Sequence, residues 1–79
     1  MAANQQTNIE PLLLSAVEAA RLLGVSRSKF YSMHAAGLVP LPVFLGGCVR
    51  WPVDELRAWV KAGCVSREQW QAMKRQSYE

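Results

Sequence analysis

The first stretch with a helical period begins at Ser15. Val17, Ala20 and Leu23 recur at the spacing of one helix face, so they are expected to be buried together. Ser15 and Glu18 have the three-residue spacing of a capping box, in which each side chain binds the backbone N–H of the other residue. The pattern therefore predicts a short amphipathic helix that starts immediately after Ser15.

A second short helix is predicted after very few residues. Gly24 is suited to end the first helix, Ser26 to cap the second, and Gly37 to stop it after about Ala36. With Phe30 at the centre of the buried face, the opposite face carries Ser28, Ser32 and Ala35, flanked by Lys29 and Tyr31. Two helices joined by a short glycine-containing turn form the helix-turn-helix pattern, in which the second helix is presented to a nucleic-acid groove.

The segment LVPLPVFLGGCVRWP, residues 38–52, predicts a β-hairpin. Its first two prolines exclude a helix, and its Gly-Gly pair fits a two-residue hairpin turn. Strands are therefore expected near Val43–Leu45 and Cys48–Trp51. With a period of two, one face is expected to carry Val43, Leu45, Val49 and Trp51. Phe44 and Arg50 would then point away from that face.

Two further helices are predicted after the hairpin. Pro52 suits the start of the third helix, which Gly63 is expected to end. The buried stripe of this helix is expected to be Leu56, Trp59 and Val60. The fourth helix is expected over residues 66–76, with Ser66 as its N-cap. Val65 and Trp70 have the spacing of a hydrophobic staple, so the tryptophan is expected to anchor this helix.

The rest of the composition indicates one small cytoplasmic domain. Residues 1–11 carry no apolar period and are predicted to form a flexible tail, which leaves residues 12–76 as the domain. The 79-residue chain has neither an apolar run long enough to span a bilayer nor a secretory leader, so no membrane association is expected. Cys48 and Cys64 are too few for a disulfide scaffold, which predicts reduced thiols.

The charges are sorted along the chain. The net charge is +3, and no acidic residue lies between Glu18 and Asp54. The cations inside this acid-free interval are Arg21, Arg27, Lys29 and Arg50. Such an interval favours a polyanionic partner, although a chance scarcity of carboxylates is the simple alternative.

Three sequence elements carry a family resemblance. They are EAA-x-LLGVSR in the first two helices, G-x-x-P-x-P-V-x-L-G at the turn into the hairpin, and VRWP-x-DEL-x-AW in the hairpin and third helix. From Leu13 to about Lys61, some three-fifths of the chain, the sequence resembles the winged helix-turn-helix of AlpA-type regulators and phage excisionases, which is related to the MerR DNA-binding domain. The fold class expected is mainly α with a small β-hairpin, or wing, and an additional C-terminal helix.

The resemblance implies a small DNA-binding protein of a phage, prophage or other mobile element that directs recombination or regulates transcription. The family's DNA-facing helix positions are matched by Arg27, Ser28, Tyr31 and Ser32, and its wing arginine is matched by Arg50. From the residues alone, Lys29 and the cap Ser26 join them at the helix start, where backbone N–H groups favour a phosphate. The wing positions of Phe44 and Cys48 are often Lys or Arg in the family, so fewer phosphate contacts are expected from this wing tip.

The expected partner is double-stranded DNA, with an integrase or recombinase and further copies of the protein on the DNA as additional candidates. No cofactor and no small-molecule substrate are expected. The sequence has one histidine, and Cys48 and Cys64 lie 14 and then 16 residues further along, which does not fit a zinc site. No phosphate-cradling loop or paired carboxylate suggests an enzyme. His34 is instead expected to pack half-buried beside the wing, and the tryptophans are expected in the core rather than in a base-stacking platform.

Some alternatives stay open in the sequence. Phe44 is either exposed, where it could meet a DNA minor groove or a neighbouring protomer, or turned inward by a bend at Pro42. The rival within DNA binding is the DNA-recognition domain of a phage terminase small subunit, which resembles this fold. The rival from another class is a winged-helix protein-interaction module, with a partner surface on the fourth helix, Leu38, Phe44 and Cys48.

Overall fold

The computed structural model describes residues 10–77, so the predicted tail lies outside the described residues except at Glu10 and Pro11. The elements in chain order are β1 (Leu13–Leu14), α1 (Ala16–Leu23), α2 (Arg27–Ala35), β2 (Val43–Leu45), β3 (Cys48–Pro52), α3 (Val53–Lys61) and α4 (Arg67–Ser77). The three strands form an antiparallel sheet in the order β1-β3-β2. This arrangement confirms the predicted fold class, a mainly helical winged helix-turn-helix with an additional C-terminal helix.

Strand β1 is an element that the sequence pattern did not reveal. Leu13 pairs with Pro52 and Leu14 pairs with Trp51. The backbone N–H of Val53 also donates to the Leu12 carbonyl, with an N–O distance of 2.9 Å. Because a strand of two residues has no measurable period, only the pairing with β3 identifies it. The strand connects the start of the domain to the base of the wing.

The helix-turn-helix is built from local caps, as predicted. The Ser15 hydroxyl accepts from the N–H of Glu18 at 3.2 Å, and the Glu18 carboxylate accepts from the N–H of Ser15 at 2.9 Å, which completes the capping box. Gly24 ends α1 with a φ of 78°, a left-handed conformation that favours glycine. The Ser26 hydroxyl then accepts from the N–H of Lys29 at 3.1 Å and starts α2.

The far end of α2 is closed by a Schellman motif around Gly37. This glycine has a φ of 74°, and its N–H donates to the His34 carbonyl at 3.1 Å. The N–H of Leu38 donates to the Met33 carbonyl at 2.9 Å. Both ends of α2 therefore have defined geometry, which matters for a helix of only nine residues.

The core is organised around aromatic side chains. Phe30 from α2 packs edge-to-face on Trp51 from β3, with a centroid distance of 4.8 Å and an interplanar angle of 81°. The indole of Trp51 donates to the Pro40 carbonyl at 3.0 Å, and that of Trp59 donates to the Val65 carbonyl at 2.8 Å. These two tryptophans and Trp70 are all buried, which confirms core packing over a stacking platform.

Two residues predicted for the core lie at the surface instead. Val17 is 39% exposed and Val60 is 46% exposed. The buried face of α1 consists of Ala16, Ala19 and Ala20, and that of α3 consists of Val53, Leu56 and Trp59. In both helices the buried stripe is rotated from the predicted one, and in α1 it is made of alanines. Ala19 is fully buried and Ala20 is 2% exposed, so the elements packed against α1 set its rotation, and the larger side chain of Val17 did not.

The predicted face of the wing is also wrong. Val43 pairs with Arg50, Phe44 with Val49, and Leu45 with Cys48. Because directly paired residues point to the same side of a sheet, Phe44 shares the face of Val49 and Trp51. Val43 and Leu45 share the face of Arg50. Across this two-residue turn, odd-numbered residues of one strand pair with even-numbered residues of the other. The predicted face instead grouped odd-numbered residues from both strands.

The C-terminal helix packs against the rest of the described structure. Trp70 is 7% exposed and belongs to the core cluster. Its indole N–H donates to the Glu55 carboxylate at 2.9 Å, and Lys74 forms a salt bridge with the same carboxylate at 2.6 Å. The Ser66 hydroxyl accepts from the N–H of Gln69 at 3.3 Å, which confirms it as the N-cap. Helix α4 therefore packs against α3.

Among residues 10–77, no helix is long and apolar enough to cross a membrane.

Candidate nucleic-acid interface

Helix α2 presents a continuous polar surface to solvent. Phe30 is fully buried, and this anchor fixes the rotation of the helix about its own axis. The side chains that face outward as a result are Arg27, Ser28, Lys29, Tyr31 and Ser32, all of them exposed. No acidic residue lies in the first turn of α2. The five predicted contact residues of this helix are thus brought together on one accessible surface.

The N-terminus of α2 is suited to an anion. The first N–H groups of a helix have no intrahelical acceptor, and the helix dipole gives this end a partial positive charge. Ser26 uses its hydroxyl oxygen to accept from Lys29, which leaves the hydroxyl proton available to a phosphate oxygen. Arg27 and Lys29 add full positive charges beside the backbone N–H groups. This end of the helix therefore offers several donors to one phosphate.

A groove connects α2 with the wing. Ser15, Ala16 and Val17 line it from the start of α1, and Tyr31 and His34 line it from α2. Val49, Arg50 and Trp51 close it from β3. Arg50 is half-buried, and its guanidinium donates to the Val49 carbonyl at 2.8 Å. The structure thus places Arg50 and Tyr31 along one groove, although Arg50 lies on the opposite face of β3 from Trp51.

The tip of the wing is apolar and exposed. Phe44 is 75% exposed and Leu45 is 59% exposed, so the alternative that Pro42 turns Phe44 into the core is wrong. Cys48 is an exposed free cysteine beside the glycine turn. Arg50 is the only cation within residues 43–52. A tip of this composition offers apolar contact and few phosphate contacts.

Beneath the interface, α4 contacts the end of α2 through a residue that the sequence did not single out. Arg67 donates from Nη2 to Nδ1 of His34 at 3.0 Å, and the His34 ring packs edge-on to Trp51 with centroids 5.4 Å apart. His34 is half-buried beside the wing, as predicted. The available signal was a cation in the first turn of a helix, where the helix dipole disfavours it. A residue in that position needs a partner elsewhere.

The His34 contact has a consequence for pH. Burial, and then the nearby positive charge of Arg67, lower the pKa of His34 below its usual value. Nδ1 accepts a hydrogen bond, which matches a neutral ring protonated on Nε2. Well above pH 6.5 the ring is neutral in the folded and unfolded states alike, so this group then costs no stability. As the pH falls further, the unfolded state binds the proton first and the folded state loses stability.

We therefore expect the free energy of unfolding to fall between pH 7.5 and pH 5.5. His34→Gln, which keeps an acceptor but does not titrate, should flatten that dependence. The comparison is clean because His34 is the only histidine in the sequence. Urea unfolding of both proteins at the two pH values tests it. An equal loss of stability in the two proteins would show that another group is responsible.

No group of three or more His, Cys, Asp or Glu side chains that could hold a metal ion occurs within the part of the chain that the structure describes. In the same residues, every buried side-chain nitrogen or oxygen has a hydrogen-bond partner. Cys64 is exposed and free, like Cys48.

Comparison with models of known protein families gives a match. Residues 13–64, more than half of the chain, match a family model described as a helix-turn-helix domain. The match spans β1 through α3 and ends before α4 begins at Arg67. The comparisons with curated proteins and with solved structures give no significant match. The chain therefore belongs to the helix-turn-helix family of AlpA- and excisionase-like small DNA-binding proteins.

Proposed function

We propose that this protein is a sequence-specific binder of double-stranded DNA from a phage or other mobile element. It acts in the cytoplasm as an excisionase or as an AlpA-like transcriptional regulator, without catalysing a reaction. The observation that carries the proposal is the exposed polar face of α2, which has cations at its N-terminus and no carboxylate beside them. Carboxylates there would repel the phosphate backbone, and their absence leaves the field of Arg27 and Lys29 unopposed.

In the proposed complex, α2 enters the major groove with its N-terminal end near the backbone. Ser26, Lys29 and the first N–H groups of the helix bind phosphate oxygens and fix the register. Ser28 and Ser32 have short side chains, so the helix can approach the base edges closely. The guanidinium of Arg27 can make a bidentate contact with guanine. The Tyr31 hydroxyl lies at the margin of the face, where a neutral bond to a phosphate fits.

The wing supplies a second, smaller contact. Arg50 lines the groove that runs from Tyr31 to β3, and this position supports a contact between its guanidinium and a phosphate that flanks the major-groove site. The tip beyond it is uncharged, which limits the phosphate contacts of one protomer to about four to six. Single copies are therefore expected to bind weakly. Several copies on adjacent sites, or an integrase beside them, would supply the missing affinity and part of the specificity.

Salt dependence is the direct test of this function. With about four to six phosphate contacts, the logarithm of the association constant should fall against the logarithm of the salt concentration with a slope of roughly −4 to −5 per protomer. Fluorescence anisotropy of a labelled duplex, measured from low to moderate salt, gives this slope. A response that does not vary with salt would contradict the nucleic-acid function.

The second candidate is a protein-interaction module, and one observation favours it. Leu38 is 47% exposed, and Phe44 and Leu45 at the wing tip are more exposed still. These side chains could bind another protein without any contact between α2 and DNA. Duplex binding by the wild-type protein and by one variant distinguishes the two functions. Phe44→Ser should leave binding to a single-site duplex nearly unchanged if α2 carries recognition, whereas an interaction module would show no duplex binding in either form.

A further inference from the structure

Arg67, the first residue of α4, donates hydrogen bonds to three backbone carbonyls at and just beyond the C-terminal end of α2. Its Nε donates to the Val39 carbonyl at 3.0 Å, and its Nη2 donates to the His34 carbonyl at 3.1 Å. Its backbone N–H donates to the Gly37 carbonyl at 3.0 Å. Helix α4 lies beyond the residues that match the helix-turn-helix family. The recognition helix of this chain is thus tied to an element outside the family module.

The chemistry of this contact suits a helix end. The last carbonyls of a helix lack intrahelical donors, and the helix dipole attracts a positive charge there. The N–H of Gly37 already satisfies one lone pair of the His34 carbonyl, and Arg67 supplies a second donor. In its own helix Arg67 is unfavourably placed, because it stands in the first turn of α4. The hydrogen bonds that Arg67 donates at the end of α2 therefore account for its position.

We propose that Arg67 is a positioning residue for DNA recognition, because it fixes the C-terminal end of α2 and so the angle at which that helix enters the groove. This inference rests on the DNA binding proposed above. Helix α2 has nine residues and a single fully buried anchor, Phe30 near its middle. Among the described residues, the only other core contacts of its C-terminal half come from the half-buried side chains of Met33 and His34, and a shift of a fraction of an ångström at Tyr31 or Ser32 misaligns contacts with base edges. Arg67 restrains such a shift from the end opposite Arg27.

The charge of Arg67 is directed at the protein. Its guanidinium is occupied by the His34 ring and by the carbonyls of His34 and Val39. Arg75 lies two turns further along α4 and lines the same surface groove, but its side chain is exposed. The two arginines therefore form a matched pair, since one is engaged with α2 and the other is open to solvent.

The experiment compares Arg67→Ala and Arg67→Lys with the full wild-type chain. The probes are a duplex that the wild-type protein enriches from a random pool and an unrelated duplex of equal length, each titrated over a salt series. Arg67→Ala should weaken binding to the enriched duplex about tenfold and binding to the unrelated duplex much less. The log–log salt slope should stay at the wild-type value, because no phosphate contact is lost. Arg67→Lys should restore part of the discrimination, since an ammonium can reach one carbonyl but cannot form the guanidinium fork.

Two controls separate positioning from stability and from charge. Trp70→Phe weakens the packing of α4 but keeps Arg67, so it should keep the discrimination between the two duplexes. Arg75→Ala removes one positive charge from the same helix, as Arg67→Ala does, but it should also keep the discrimination between the two duplexes. If Trp70→Phe loses as much discrimination as Arg67→Ala, Arg67 acts only by holding α4 in place and does not position α2 for recognition. A salt slope smaller by about one in Arg67→Ala would make it a phosphate contact instead.

Wild-type affinity and discrimination in Arg67→Ala would also overturn the inference while leaving the proposed function intact. Failure of the wild-type protein to bind any duplex would overturn the proposed function, and this inference with it.

Discussion

A chain that ends after Gly63 is expected to lose most of its stability. The deletion removes Trp70, which is 7% exposed in the core, and it leaves the Glu55 carboxylate without its indole and ammonium partners. Loss of a buried tryptophan side chain alone costs about 3–5 kcal/mol, which is comparable with the total stability of a small domain. We therefore expect the melting temperature to fall by at least about 12 °C, or the shortened chain to associate through the uncovered surface of α3. Thermal unfolding by circular dichroism, together with light scattering, measures both outcomes.

A point substitution makes the same comparison within the full chain. Trp70→Ala should lower the free energy of unfolding by about 3–5 kcal/mol. Gln69→Ala is the matched control, because Gln69 is an exposed neighbour in the same helix whose backbone cap bond survives the change. If the deleted chain and Trp70→Ala both melt like the wild type, α4 is a free arm for a partner and does not belong to the folded domain in solution.

Arg27→Ala is expected to have the largest effect on DNA recognition among the exposed residues of α2. Arg27 occupies the first position of α2, where the helix end meets the DNA in the proposed complex. Loss of a guanidinium that reads a base edge should cost about 1–3 kcal/mol of binding free energy and relax the sequence preference at one position. Anisotropy titrations with the enriched duplex and with single-base variants of it measure both effects.

Two further variants lose the same positive charge as Arg27→Ala. Arg50→Ala tests the wing, and Arg57→Ala is the control outside the proposed interface. Arg50 is proposed to bind a phosphate, so its loss should weaken all sequences about equally and reduce the salt slope by about one. Arg57 is exposed on α3, where it lines a groove with Leu14 and Leu22 rather than with α2, and its loss should have little effect. If Arg50→Ala binds as the wild type does, the wing does not reach DNA. If Arg27→Ala and Arg57→Ala behave alike, α2 is not the recognition helix.

Much of the fold and of the candidate site could be predicted because the deciding interactions are local. The cap bonds of Ser15 and Ser26 each join residues three apart, and the left-handed turns at Gly24 and Gly37 need only a residue without a Cβ. These features set the ends of α1 and α2. They also leave a polar face opposite Phe30, so the predicted contact residues of α2 are found together at the surface.

The pairing of the wing is also a local property, although the faces predicted for its strands were wrong. The Gly46–Gly47 turn makes Leu45 the partner of Cys48, and every other pair follows from that register. Counting pairs outward from the turn, rather than alternating along each strand separately, gives the observed faces. The apolar tip with Phe44 was therefore accessible from the sequence once the turn was counted correctly.

Three features were decided only by tertiary contact. Strand β1 exists because β3 pairs with it, since two residues carry no pattern of their own. The buried face of α1 consists of three alanines and leaves the larger Val17 exposed, a rotation that is set by the elements packed against the helix. Arg67 reaches carbonyls 28 and 33 residues earlier in the chain, a distance that no local spacing rule covers. By itself the sequence determined the helix-turn-helix and its exposed face, because caps, turns and helical period act over three or four residues. The tertiary structure decided how that face is held, because the hydrogen bonds at its far end come from Arg67 of α4, a helix distant from α2 in the chain.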